Sequence, residues 1–170
     1  MEQKAAQVAT ICECIDHCFA YSMWCEDFAQ HVDPDDMVMG LHRAFEVVSD
    51  ATLLQSFLAL RKLDDFLGGA KPQKDDLTAK NFGIDVEKLL GGLQAKFLSK
   101  DERDNISKGA AHLTEQLTLD QDSEVDLLAI VERSISMFEQ LVTELCKIDT
   151  TGEAKHWLDK TAALIGEAKK

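Results

Sequence analysis

The sequence predicts an all-α protein: an up-and-down helical bundle of about six or seven helices, in a single domain over residues 1–170. Three observations carry that prediction. Apolar residues recur at helical spacing along almost the whole chain, and no period-2 alternation is long enough for a strand. Two prolines and nine glycines are too few to punctuate many tight turns. Hydrophobic residues make up 45% of the chain and mean hydropathy is −0.16, which excludes global disorder and allows a core without disulfides or metal.

The elements follow in order. Val8, Cys12, Ile15, Phe19 and Ser22 form one stripe of a first helix that should end near His31. Asp33-Pro34-Asp35-Asp36 then reads as a helix start, with an aspartate cap, proline in the first turn and acids near the positive dipole end. That pattern runs to Leu67 and stops at Gly68-Gly69, with a break expected at Ser49-Asp50 because of its length. Residues Ala70–Asn81 read as a surface connection. Asp85 caps a helix expected to end near Leu98, weakened by Gly91-Gly92. Ser99-Lys100-Asp101-Glu102 has capping-box spacing and opens a helix to about Leu117. Leu119–Asp122 is a polar link, Ser123 caps a helix reaching Ile148, and Glu153–Ala168 forms a short terminal helix.

Charge and cysteine content bound the function. The chain carries 18 Lys plus Arg against 31 Asp plus Glu, a net charge of −13. Phosphate contacts need Lys and Arg, so nucleic acid and anionic membranes are poor partners for such a surface. No stretch approaches the roughly 18 apolar residues of a membrane span. Glu13 and Asp16 interrupt Met1–Cys25 where a signal peptide would need an apolar run, so the expected location is cytoplasmic. Cys12, Cys14, Cys18 and Cys25 crowd one segment, but Cys14 and Cys25 lie roughly 16 Å apart along a helix and cannot share one ion. Core packing as free thiols is the expectation. There is no H-E-x-x-H, no paired E-x-x-H and no phosphate-cradling glycine loop, so no metal or cofactor is expected.

Two segments place polar groups where a core should be. With Leu53 at 0° on a helical wheel, Leu60, Leu67 and Phe57 fall within about 40° of it, and Asp64 at about +20° falls inside the same face. A carboxylate aimed at a core is costly unless paired, and Arg61, three residues earlier, is the local candidate. The pair reads either as a structural bridge or as the wall of a functional cleft. In the helix after Ser99, Ile106, Ala110, Leu113 and Leu117 form the apolar stripe. On its flank lie Asn105, Lys108, Gly109, His112 and Gln116. Gly109 lets another backbone or a ligand approach closely, and His112 titrates nearest neutrality.

These stretches resemble a HEPN-like family of bacterial helical proteins. The resemblance rests on three segments in order: Leu60-Arg61-Lys62-Leu63-Asp64-Asp65-Phe66-Leu67, Asp75-Asp76-Leu77-Thr78-Ala79-Lys80-Asn81-Phe82, and Ile106-Ser107-Lys108-Gly109-Ala110-Ala111-His112-Leu113-Thr114. They correspond to family patterns of the type L-R-x-L-x-D-F, D-D…D-F and I-N-K-x-x-A-H-L-T and cover roughly residues 51–145. The sequence departs from them at Ser107 and Asn81. HEPN ribonucleases carry an arginine and a histidine four to six residues apart. The nearest arginine to His112 here is Arg103, nine positions away and on the opposite side of a continuous helix.

The leading expectation is therefore a non-catalytic interaction module that takes a protein partner or small ligand in a polar cleft lined by Arg61, Asp64, Asp76, Asn105, Lys108 and His112. The enzyme alternative is a metal-independent ribonuclease or toxin–antitoxin component with His112 as acid–base. A third reading is a structural homodimer docking through Leu127, Ile130, Met137 and Leu141, a second apolar stripe on the helix after Ser123.

Overall fold

Helix α1 (Glu2–His31) has apolar residues on more than one side, and its packing follows from that. Val8, Cys12, Ile15 and Phe19 are buried, and so are Ile11, Cys14 and Cys18 beside them. In the computed structural model, which describes residues 2–31, 39–69, 77–92, 95–115, 126–148 and 152–169, α1 packs against three other helices. These are α2 (Met39–Phe66), α5 (Leu127–Leu145) and α6 (Gly152–Ala168). Two further helices, α3 (Val86–Leu89) and α4 (Lys100–Glu115), and a 3-10 turn at Ala79–Phe82 complete the described elements. The protein is an all-α helical bundle, with no strand among the described residues. None of its described helices is long and apolar enough to cross a membrane.

Helix α2 differs from its expected form. It runs unbroken through Ser49-Asp50. The Thr52 hydroxyl donates back to the Val48 and Ser49 carbonyls, at 3.0 and 2.9 Å, so the local polar group bonds along the helix. The Asp33–Asp36 start signal lies outside the described residues. The far end of α2 closes as expected: Gly68 takes a left-handed φ of 86°. Its N–H donates to the Asp65 carbonyl at 3.1 Å, and the Gly69 N–H donates to the Asp64 carbonyl at 2.8 Å, a Schellman arrangement.

The helix expected from Asp85 to Leu98 is cut to the single turn of α3. Asp85 does cap it, accepting from the Lys88 N–H at 3.1 Å. Gly91 then adopts φ 82° and ends it. Residues 95–99 run instead as a connection that buries Phe97 and Leu98. The stretch read as a surface connection up to Asn81 contains the start of the 3-10 turn, whose Ala79 is buried. The Asn81 side-chain oxygen accepts from both the N–H and the hydroxyl of Thr78, at 2.8 Å each, and so closes that turn. Phe82 meets Phe66 at the end of α2, with ring centroids 5.9 Å apart.

Helix α4 opens with the capping box read from the sequence. The Ser99 hydroxyl accepts from the Glu102 N–H at 3.2 Å, and Glu102 accepts from the Ser99 N–H at 2.8 Å. Helix α5 is capped by Asp126, which accepts from the Ala129 N–H at 2.9 Å; Ser123 lies outside the described residues. Leu127, Ile130, Met137 and Leu141, the stripe offered for a second copy, are buried within the chain. They share the core with Val131, Phe138, Val142 and Leu145, because α1, α3 and α6 all pack around α5.

Two buried polar contacts pin the helices in register. The Ser56 hydroxyl of α2 donates to the His17 carbonyl at 2.8 Å and accepts from the Tyr21 N–H at 3.3 Å, inserting between two groups one turn apart on α1. The Thr161 hydroxyl of α6 donates to Asp16 of α1 at 2.6 Å. The Lys160 ammonium lies 2.9 Å from the other Asp16 oxygen and 4.4 Å from the centroid of the Trp157 ring.

Candidate functional site

Asp64 comes first, because it is the carboxylate that the helical wheel aimed at the core. It sits on the last turn of α2 with 0% of its surface exposed. Its partner is Arg103 on α4, whose Nε donates to Oδ2 at 2.6 Å, and the Leu98 N–H approaches Oδ1 at 3.4 Å. Arg61, the expected local partner, is exposed. The i, i+3 pairing fails because Asp64 lies on the core face, where α4 and the 95–99 connection supply donors. The hydrogen bond from Arg103 to Asp64 pushes the guanidinium pKa above its ordinary value, so the arginine stays charged.

Asp64 is closed in by the described residues around it. A methyl group at Gly69 would fall 2.2 Å from the carboxylate oxygens, so the glycine that ends α2 also seals the pair. The Asp64–Arg103 bridge thus ties three segments together: the C-terminal end of α2, the 95–99 connection and the first turns of α4.

The remaining residues of the expected cleft are placed as follows. Lys108 is exposed and Asn105 half-buried on α4. His112 lies within the α4 backbone, with its side chain outside the described set, and Asp76 lies outside the described residues altogether. Gly109 is a point of close approach, as its type suggested, and what approaches is the Phe57 ring of α2. A methyl at position 109 would lie 2.8 Å from that ring. The glycine on the polar flank is thus a helix-packing residue.

A second bridge links α4 to α5. Glu102 accepts two hydrogen bonds from the Arg133 guanidinium, at 2.6 and 2.9 Å. The Arg133 hydrogen bonds and those of Ser99 hold the Glu102 carboxyl down to a pKa of about 2. The thiols of the N-terminal cluster are buried in the core, with Cys25 half-buried and Cys146 exposed. Burial pushes the Cys12 thiol up to about 12 and raises Cys14 and Cys18 as well. Among the described residues, no group of three His, Cys, Asp or Glu side chains is arranged to hold a metal ion.

Open concave surfaces lie elsewhere among the described residues. A cavity of about 300 Å³ runs between α1, α5 and α6, floored by Phe19, Val131, Ile135 and Leu164. Met23 and Leu128 stand at its mouth, 44% and 46% exposed, and Glu132 and Glu167 form an acidic rim. A more polar depression of about 530 Å³ lies between α3 and α5, lined by Asp85, Lys88, Glu139 and Lys147 among others. Several of its charges are used locally: Lys147 pairs with Glu144 at 2.6 Å, and Glu139 pairs with Lys169. Sequence reasoning missed both surfaces. The first is built where α1 meets the consecutive helices α5 and α6 from the other end of the chain, and its sequence trace is the apolar breadth of α5.

Among the described residues, the fold and these surfaces give a helical bundle with an apolar, acid-rimmed groove. Comparison with protein-family models, curated proteins and solved structures finds no match to this chain.

Proposed function

We propose that this protein is a non-catalytic interaction module that receives an amphipathic, basic helix of a partner protein in the groove between α1, α5 and α6. The observation that carries this reading is the groove itself: an apolar floor, two large side chains held exposed at its mouth, and Glu132 and Glu167 on its rim. At about 300 Å³ the cavity is at the small end for a cofactor or metabolite but suits one or two large anchor side chains of a docked helix. The rim acids, in a chain of net charge −13, favour Lys or Arg beside those anchors.

The fate of the expected cleft supports the same reading. Asp64 is committed to Arg103, and that arginine, the nearest to His112 in sequence, is thereby withdrawn from handling a phosphate. The HEPN-like resemblance stays within this proposal as a likeness of helical architecture without the ribonuclease arginine–histidine spacing.

The test uses a labelled amphipathic peptide of about 18 residues, Leu on one face and Lys on the other, followed by fluorescence anisotropy. Saturable binding is expected, with loss of at least tenfold in affinity for Leu128→Asp and no binding of the same peptide with Glu in place of Lys. Equal binding by wild type and Leu128→Asp would remove the groove from the account.

A further inference from the structure

The carboxylates of α5 and α6 fall into two groups. Glu139 is bridged to Lys169, Glu144 to Lys147 and Asp159 to Lys155. Glu132 and Glu167 have no partner among the described residues, and these are the two that line the groove. A cation is near at hand in the chain, since Lys169 lies two residues beyond Glu167. Its ammonium is held instead by Glu139, which lines the depression between α3 and α5. The acids around the groove are thus neutralised within the chain, while the two inside it are left for something else.

Each of these acids stands beside an apolar wall residue. Glu132 follows Leu128 by four residues on α5, and Glu167 follows Leu164 by three on α6, spacings that put each pair on one face of its helix. All four, with Ala168, line the same cavity. Helix α6 ends at Ala168, so the carbonyls of its last turn lack intrahelical partners and bring the negative end of the helix dipole to the same corner. A cation received there meets acceptors from two helices with apolar walls next to them. Arginine fits that setting better than lysine. Its guanidinium spreads five donors in one plane, can bond carboxylates on two sides at once and is weakly hydrated, and its stem packs on apolar surface. An ammonium is a compact, strongly hydrated charge that loses more water beside Leu128 and Leu164.

We infer that the groove selects a partner helix carrying an arginine three or four residues from an apolar anchor, with the anchor entering over Phe19 and Ile135 while the guanidinium bridges Glu132 and Glu167. The spacing is that of two residues on one face of the docked helix, as the lining residues and acids are on α5 and α6. This inference rests on the groove being the binding surface and adds which side chain the groove reads there.

Fluorescence anisotropy with labelled helical peptides of about 18 residues is the test. Each peptide has Leu on one face and Gln elsewhere, with a single Arg, Lys or citrulline four residues from the central Leu. Citrulline keeps the shape of arginine without its charge. The Arg peptide should bind about fivefold tighter than the Lys peptide and about tenfold tighter than the citrulline peptide. Glu132→Gln and Glu167→Gln, both at exposed positions, should each cut the preference for Arg over citrulline by about threefold or more. Glu144→Gln removes the same charge outside the groove and should leave that preference intact. Moving the Arg by two residues, to the other side of the peptide, should abolish it. Equal binding of the Arg and Lys peptides, or a preference for Arg untouched by both groove variants, would overturn the inference. If that binding is still lost in Leu128→Asp, the groove remains the binding surface and only its reading of arginine falls. Binding indifferent to Leu128→Asp, or no binding by any of the three peptides, would remove the groove reading and this inference with it.

Discussion

Replacing Arg103 with Met tests whether the buried carboxylate of α2 is a structural clamp. Asp64 has 0% exposure, while the Arg103 side chain keeps 22% of its surface in contact with solvent. The consequences of breaking the pair are therefore unequal. Without Arg103, Asp64 loses its 2.6 Å donor and keeps only the Leu98 N–H at 3.4 Å, inside a site that water does not reach. A buried pair broken from one side costs about 3–5 kcal/mol. For a chain of this size that corresponds to a fall in Tm of roughly 6–20 °C. The reverse change, Asp64→Leu, leaves an arginine that can turn towards solvent and should cost less, about 1–2 kcal/mol. The double variant should recover most of the loss in Arg103→Met, because apolar groups of similar volume often replace a buried ion pair at little cost. Urea unfolding of the four proteins closes the cycle. A loss below about 1 kcal/mol in Arg103→Met, or a double variant no more stable than that single one, would refute the reasoning.

Other consequences are equally direct. Gly109→Ala sets a methyl 2.8 Å from the Phe57 ring, so it should destabilise by about 1–3 kcal/mol despite the better helix former. Adding Phe57→Leu should make the pair of changes cost less than their sum in thermal melts. Glu102 is held at a pKa of about 2, below its unfolded value near 4.5, so its contribution is complete above about pH 4.5 and is lost as pH falls towards 2. Wild type should therefore lose about 1 kcal/mol more than Glu102→Gln between pH 6 and pH 2.5, by urea titration at each pH, the figure being small because Arg133 is half exposed. Iodoacetamide should label Cys146 first in the native protein, with Cys12, Cys14 and Cys18 labelled only on unfolding; mass spectrometry of timed aliquots reads the order.

The fold was legible wherever a local signal had no tertiary rival. The stripe of α1, the Ser99–Glu102 box, the Asp85 cap and the Gly68 stop all take their expected forms, since the stripe is read along one helix and the other three depend on residues within about one turn. Ser49-Asp50 resembles a cap, but α2 continues through it, with the Thr52 hydroxyl bonded back to the Val48 and Ser49 carbonyls. Beyond Asp85, glycine at 91 turns the chain left-handed and prevents the longer helix.

Asp64 was legible as a buried charge because wheel geometry needs one helix only. Its partner was not, because Arg103 arrives from 39 residues away and local spacing can suggest nothing beyond Arg61. Asp16 shows the same rule unused. It lies one turn from Cys12 on the buried side of α1, so the wheel argument applied to Asp64 flags it as a buried carboxylate that needs a partner, while the partner, Thr161, arrives from 145 residues away. Gly109 was read as a place where a backbone or a ligand comes close, whereas the group that approaches is a side chain, the Phe57 ring, which only the packing of α2 on α4 reveals.

The central claim is that the groove between α1, α5 and α6 is the binding surface. Methyl-resolved NMR of the protein, titrated with the amphipathic Leu/Lys peptide, tests it most directly. The account predicts shift changes concentrated at Met23, Leu128, Val131, Ile135 and Leu164, saturating with one peptide per chain. Changes confined to other methyl groups, or none up to millimolar peptide, would contradict it.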